Sequence, residues 1–353
     1  MADTFDDTRL DDPEVLAAAD PPLRRLAESG ARVRLEAGGA AEALGGLAAE
    51  APPRAIVAAG ADARLLRAVL EPWCPVPFVA WPGPSLPGWA GALDLVLVLA
   101  PAGGDAQTAS AVHEAVRRGC TLITACPPHS VLAELAQARH STVLPTQTDD
   151  PLAVAVGMLQ ALHSLGVGPE VDADDVARVL DEVAIACSPH QDISSNSAKD
   201  LALAFADSVP LVWGGSVLAA RAARRVAEAL RRTTGRPALA ADAAHLLPVL
   251  EATRKRDVFA DPFADPFADE ADAGTRLRPG LLILDDGTEE ASIREQRGRL
   301  TTTAASHDVR CQTIEGTAGP EMARYASLLT TGLYAATYLG IGLSRDDEET
   351  IAW

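Results

Sequence analysis

The sequence predicts an α/β protein made of two similar units in one chain, each a parallel sheet flanked by helices in three layers. Three observations predict it. Continuous apolar runs recur along the chain, each bounded by Gly, Pro or polar residues and too short for a globular helix. Helical periodicity fills the intervals between them. The length of 353 residues suits two domains of ordinary size, and a hydrophobic fraction of 48% is ample for packed cores. Strands that are apolar on both faces and alternate with helices belong to parallel sheets covered on both sides. Aromatics make up only 4%, so small aliphatic side chains must fill these cores.

In the first half the strand candidates are RAIVAAG (54–60), LDLVLVLAP (93–101), CTLITAC (120–126) and STVLPT (141–146). AQTASAVHEAVRRG (106–119) has helical spacing and ends on Gly119, the residue type that best closes a helix. Helices are expected around 151–165 and 172–186, joining the halves. The second half repeats the scheme with VPLVWGG (209–215), RPALAAD (236–242), PGLLILDDG (279–287) and DVRCQTIEG (308–316). Its first helix is SVLAARAARRVAEALRRTTG. The expected division is an extension over 1–30, a first domain over 31–165 and a second over 166–353.

Two segments stand apart. FADPFADPFADEADAG (259–274) is an acidic repeat broken by prolines, which exclude both helix and central strand, so an exposed loop is expected. EMARYASLLTTGLYAATYLGIGL (321–343) is a helix apolar on most faces. Threonines, glycines and tyrosines interrupt it, so burial between domains or at a subunit interface is expected, not a membrane span.

The formal net charge of −19 repels nucleic acid and anionic membranes, so neither is an expected partner. The five cysteines (74, 120, 126, 187 and 311) are scattered and never form CxxC, which fits small buried hydrophobes in a reducing compartment. The seven histidines form neither HxH nor HExxH, and no metal is expected. MADTFDDTRLDDPEVL is acidic and lacks the apolar core of a signal peptide. A cytoplasmic protein is expected. Paired carboxylates such as Asp285–Asp286 are numerous and read mostly as solvated faces.

No GxGxxG follows any strand and GxxxxGK[ST] is absent, so no dinucleotide or ATP cofactor is expected. A phosphate monoester needs less: a helix N-terminus with free N–H groups and a hydroxyl or two. LVWGGSVLAARAARRVAEAL (211–230) has that outline of strand, glycine turn and helix start, although Ser216 reads first as a helix cap.

Three stretches carry a resemblance. SSNSAKDLALAFADSVPLVWGG (194–215), RAARRVAEAL (221–230) and YAATYLGIGLSRDDEETI (334–351) occur in the order and spacing of the bifunctional phosphoglucose/phosphomannose isomerases. These are proteins of two sugar isomerase (SIS) units. The similarity runs from about residue 30 almost to the end. It implies a sugar-phosphate ligand, no cofactor, a homodimer built through helical faces, and aldose–ketose isomerisation through an enediol. The resemblance places the proton-shuttling base at Glu228, seven residues after Arg221, and a ring-opening role at His245. For Glu228 the plainer reading is a surface glutamate; for His245 it is a partly buried structural histidine. Gly60, Gly103, Gly104, Thr108 and Arg221 are the expected substrate-binding residues.

The phosphate cradle departs from the family pattern. Where the family carries a serine- and threonine-rich loop after the second strand of its first unit, this chain reads APAGGDAQT (100–108). Ala100 and Ala102 replace serines and Asp105 replaces a threonine; Gly103 and Thr108 agree. Asp62 replaces a serine after the first strand, Leu152 follows Pro151 in place of an arginine, and the chain closes on TIAW without the family's lysine. A carboxylate facing a phosphate at about 4 Å repels it by a few kcal/mol at intermediate dielectric. The expectation is a retained fold with a degenerate phosphate site. A catalytically inactive binder of a sugar derivative, or of a partner protein, stands as the alternative to an isomerase. Lys199 is a candidate replacement cation, or else an ordinary ion pair with Asp200 or a neighbouring acid.

Overall fold

The computed structural model describes residues 4–44, 52–60, 63–253 and 277–344. Asp62, the 259–274 repeat and the closing TIAW therefore lie outside the described residues. The described chain divides into two compact units. One comprises Glu28–Asp181 with Gly319–Ala326; the other comprises Met1–Ala27, Glu182–Ala318 and Ser327–Trp353.

The first unit holds a five-stranded parallel sheet in the order β2-β1-β3-β4-β5. Its strands are β1 Ile56–Ala59, β2 Phe78–Trp81, β3 Leu95–Leu99, β4 Thr121–Cys126 and β5 Ser141–Pro145. Four match the expected runs. β2 was not expected: it has four residues, lies between Pro77 and Pro82, and pairs only with β1 at the sheet edge. Two short helices open the chain, α1 (Pro13–Ala18) and α2 (Asp20–Ala27). Those of the first unit are α3 (Ser29–Leu44), α4 (Ala63–Leu70), α5 (Ala106–Arg117), α6 (Val131–Leu135), α7 (Pro151–Ser164) and the start of α8 (Ala173–Ala186). One face of the sheet buries Val57, Val96, Val98 and Leu122 against Ala111, Val112 and Ala115 of α5 and Leu132 of α6. On α3 the buried Glu36 carboxylate accepts backbone N–H bonds from Gln147 (2.9 Å) and Thr148 (2.5 Å), just before α7. Asp150 caps α7 through the N–H groups of Leu152 and Ala153, with Pro151 at the first helical position, where its missing N–H costs nothing.

The second unit holds a four-stranded parallel sheet in the order β7-β6-β8-β9. Its strands are β6 Ser208–Gly214, β7 Leu239–Ala240, β8 Arg278–Asp285 and β9 Cys311–Glu315. All four coincide with the expected runs, although β6 and β8 begin one residue earlier and β7 is reduced to two residues. The accompanying helices are α9 (Ser197–Phe205), α10 (Val217–Thr234), α11 (Ala243–Glu251), α12 (Ala291–Ser306) and, from Ser327 onward, α13 (Glu321–Gly342). Leu211, Trp213, Leu281 and Ile283 pack against Leu246 and Leu250 of α11 and Leu300 of α12. On α13, Gly332 lets that helix approach α10, since a Cβ there would stand 2.3 Å from Val226 Cγ2. Tyr325, Tyr334 and Tyr338 on α13 are fully buried. Among the described residues, no helix is long and apolar enough to cross a membrane.

Lys199 is 0% exposed. Its ammonium donates to Asp11 (2.7 Å), to Pro189 O (3.1 Å) and to Gln191 O (2.9 Å), and lies 5.7 Å from the Tyr338 ring centroid. Its acidic partner is thus Asp11, 188 residues away, and not the neighbouring Asp200. A buried cation with every donor satisfied is an anchor for the N-terminal segment, not a cation held in reserve.

Candidate functional site

In an open parallel sheet, ligands bind outside the carboxyl ends of the strands where the strand order reverses. In the first sheet that point lies between β1 and β3; in the second, between β6 and β8. The turns after those strands are therefore where the chemistry must be sought.

At the first reversal, Gly60 follows β1, and Gly103 and Gly104 follow β3. Their φ values of +95°, +96° and +75° are left-handed, a region that L side chains enter only under strain. A Cβ on Gly60 would lie 3.5 Å from Thr108 Oγ1, and one on Gly104 would lie 3.3 Å from Thr108 Cγ2. The structure thus gathers Gly60, Gly104 and Thr108 at one crevice with Gly103 beside them, the group expected from the sequence.

The donors of Thr108 are taken up by the protein's own carboxylate. Asp105 caps α5: the Thr108 N–H donates to Asp105 Oδ1 at 2.8 Å and the Thr108 hydroxyl to the same oxygen at 2.7 Å. These two donations hold the Asp105 carboxyl below its ordinary pKa. The Thr108 hydroxyl is therefore directed at an acid.

The second reversal has the same form. Ser216 caps α10, its Oγ accepting from Ala219 N at 3.0 Å, as expected from the sequence. Its hydroxyl donates to Asp286, which follows β8, while Asp285 pairs with Arg297 of α12. Gly214 sits under the helix start: a Cβ there would meet the Ala219 carbonyl carbon at 2.2 Å. Paired carboxylates read from the sequence as solvated faces, whereas Asp286 accepts this hydroxyl. The only available signal was position, directly after a strand that borders a reversal.

Glu228 lies about 17 Å along α10 from that crevice, at 1.5 Å per residue. Its side chain is 34% exposed and both oxygens are occupied: Oε2 by Arg225 at 3.2 Å and Oε1 by Arg232 at 2.8 Å. Arg221 sits two turns earlier on the same helix, half-buried. Arg224, one turn before Glu228, reaches Asp242 at 3.9 Å, at the cap of α11. His245 follows on the first turn of α11 and is exposed, not partly buried. Among the described residues no hydrogen bond joins Glu228 to His245. The described His, Cys, Asp and Glu residues form no cluster able to hold a metal.

Residues 194–351 match the family described as the bacterial phospho-glucose isomerase C-terminal SIS domain. No curated protein matches the sequence. Among solved structures, a Silicibacter pomeroyi protein assigned as a phosphosugar isomerase is 15% identical with a TM-score of 0.63, covering 92% of this chain and 99% of its own. The C-terminal domain of glucosamine-fructose-6-phosphate aminotransferase from Francisella tularensis is 11% identical with a TM-score of 0.61 (93% and 96% covered). Tagatose-6-phosphate ketose/aldose isomerase from Escherichia coli is 11% identical with a TM-score of 0.59 (94% and 95%). At such identities the likeness is one of fold. Residues 194–351 are therefore similar to the bacterial phospho-glucose isomerase C-terminal SIS domain, and the chain as a whole shares the fold of these two-unit proteins.

Proposed function

We propose that this chain is a sugar-derivative-binding SIS protein related to glucose-6-phosphate/mannose-6-phosphate isomerases, with a degenerate phosphate site and no turnover of hexose 6-phosphates. The observation that carries the reading is the Asp105–Thr108 contact. An incoming phosphate needs the N–H and hydroxyl of Thr108, and both already serve a carboxylate that repels it. The ion pairs of Glu228 support the same reading. To abstract a proton from a sugar carbon it must release Arg225 and Arg232, and no second base is hydrogen-bonded to it among the described residues. The ligand crevice is the one formed by Gly60, Gly103, Gly104 and Thr108. In this reading the protein works in the cytoplasm as a homodimer. Five free thiols fit a reducing compartment, and the −19 charge disfavours nucleic acid and anionic membranes as partners.

The second reading is aldose–ketose isomerisation with Glu228 as base and His245 assisting ring opening. The family match over 194–351, which includes both residues, is what favours it. A coupled assay with fructose 6-phosphate, glucose 6-phosphate and mannose 6-phosphate separates the two, run beside thermal shift with each sugar phosphate and its unphosphorylated parent. The first reading expects no turnover and a rise in Tm with one ligand; at 100 times its Kd a ligand adds about 2.7 kcal/mol. Turnover that disappears in Glu228→Gln would overturn it in favour of the isomerase.

A further inference from the structure

The first unit contains a second cavity, lined by residues other than those of the crevice. It has a volume of about 370 Å³ and is bounded by the end of α4 with Trp73, the segment leading into α8, and the start of α13. That is the size class of small-molecule pockets. Its floor is apolar: Val69, Val171, Val176 and Met322 line it and are buried. Trp73 lines it too and is 60% exposed, an unusual position for an indole unless something stacks on it.

The polar part of the lining is of one sign. Glu170, Asp172, Asp175 and Glu321 all contribute, and no Lys, Arg or His does among the described residues. Two of these acids have partners: Asp172 accepts the N–H groups of Asp174 and Asp175 at the start of α8, and Asp175 meets Arg178 at 3.3 Å. Glu170 and Glu321 make no ion pair among the described residues. An anion is repelled by this lining. A neutral apolar molecule covers the floor but strips water from the carboxylates without replacing it. A molecule with an apolar body and a positive end satisfies every surface: the body on the valines and Met322, the cation near the carboxylates and over the Trp73 ring.

We propose that this cavity binds a small organic ammonium ion with an apolar body, of the arylalkylamine type, with Trp73 as the cation–π platform and Glu170 and Glu321 as its counter-ions. The site is independent of the sugar-derivative reading of the crevice.

The test is calorimetric titration of the full chain with phenethylammonium at 0.15 M salt, alongside 2-phenylethanol as neutral isostere and 3-phenylpropionate as anion. Saturable binding of the ammonium is expected, with the alcohol at least tenfold weaker and the anion silent. Trp73→Ala should weaken binding about fivefold or more. The Glu170→Gln/Glu321→Gln pair should weaken it about tenfold, while Glu251→Gln/Glu289→Gln, an equal charge change on the other unit, should leave it unaltered. All these positions except Trp73 are exposed carboxylates, and unchanged far-UV circular dichroism verifies each fold. The proposal is overturned by no saturable binding, by equal binding of the alcohol, or by equal weakening in the control pair. Binding confined to a basic peptide, with the small amine silent, also overturns it.

Discussion

Asp105 and Lys199 are both charged groups whose roles depend on what faces them. Asp105 stands where the family resemblance expects a threonine, and in the structure it caps α5. Its removal in Asp105→Ala is expected to cost about 1 kcal/mol at neutral pH. Because the folded state holds this carboxyl below its ordinary pKa, the contribution is present above the unfolded value and is lost as pH falls through the folded one. The Tm gap between wild type and Asp105→Ala should therefore be full at pH 7 and close only as pH falls below the ordinary carboxylate range; a gap of constant size contradicts the cap. Asp105→Ser keeps a capping oxygen, removes the charge and releases Thr108. It is expected to strengthen binding of a phosphorylated sugar tenfold or more over wild type, read by titration. Lys199 shows the opposite case, a buried ammonium that needs its acid. Asp11→Ala should destabilise the second unit by about 2–3 kcal/mol, and replacing both partners with Asp11→Ala/Lys199→Met should recover part of the loss, measured by denaturant midpoint.

At the scale of elements, the strands were legible because each is a buried apolar run, and burial on both faces of a parallel sheet leaves that signature. β2 escaped because four residues between two prolines carry too little pattern, and β7 shrank because a two-residue edge pairing needs none. The glycine turns were legible as turns. Their meeting with Thr108 follows from the strand order, which local pattern does not contain. The Ser216–Asp286 contact was illegible for the same reason: its partners lie 70 residues apart and meet only because β6 and β8 are neighbours. The strand–helix junction itself makes a sharp prediction. Gly214→Ala drives a methyl group into the backbone of α10, which cannot rotate away as a side chain can, so a loss of about 3 kcal/mol or more is expected by thermal unfolding. Gly103→Ala meets no atom within 4 Å and should show only the smaller cost of a left-handed φ.

For the molecule as a whole, the cysteines report on the closure of both units. Burial pushes the Cys187 thiol up to about 11 and raises Cys120 and Cys126 as well, while Cys74 is only half-buried. Thiol labelling of the native protein at pH 8 should modify Cys74 first and leave Cys187, Cys120 and Cys126 intact until denaturant opens their units; early labelling of Cys187 contradicts the buried site. The anchoring of Asp11 by Lys199 also has a bearing on how the chain is made. The segment holding Asp11 leaves the ribosome first, yet it belongs to the unit whose sheet is completed last, by β9. At ordinary translation rates, roughly fifteen to sixty seconds separate the emergence of residue 28 from that of β9. Through that interval Asp11 is without the ammonium it pairs with, while residues 28–181 gather around the first sheet. Lys199, once synthesised, then draws Asp11 back across a chain that has already begun to fold.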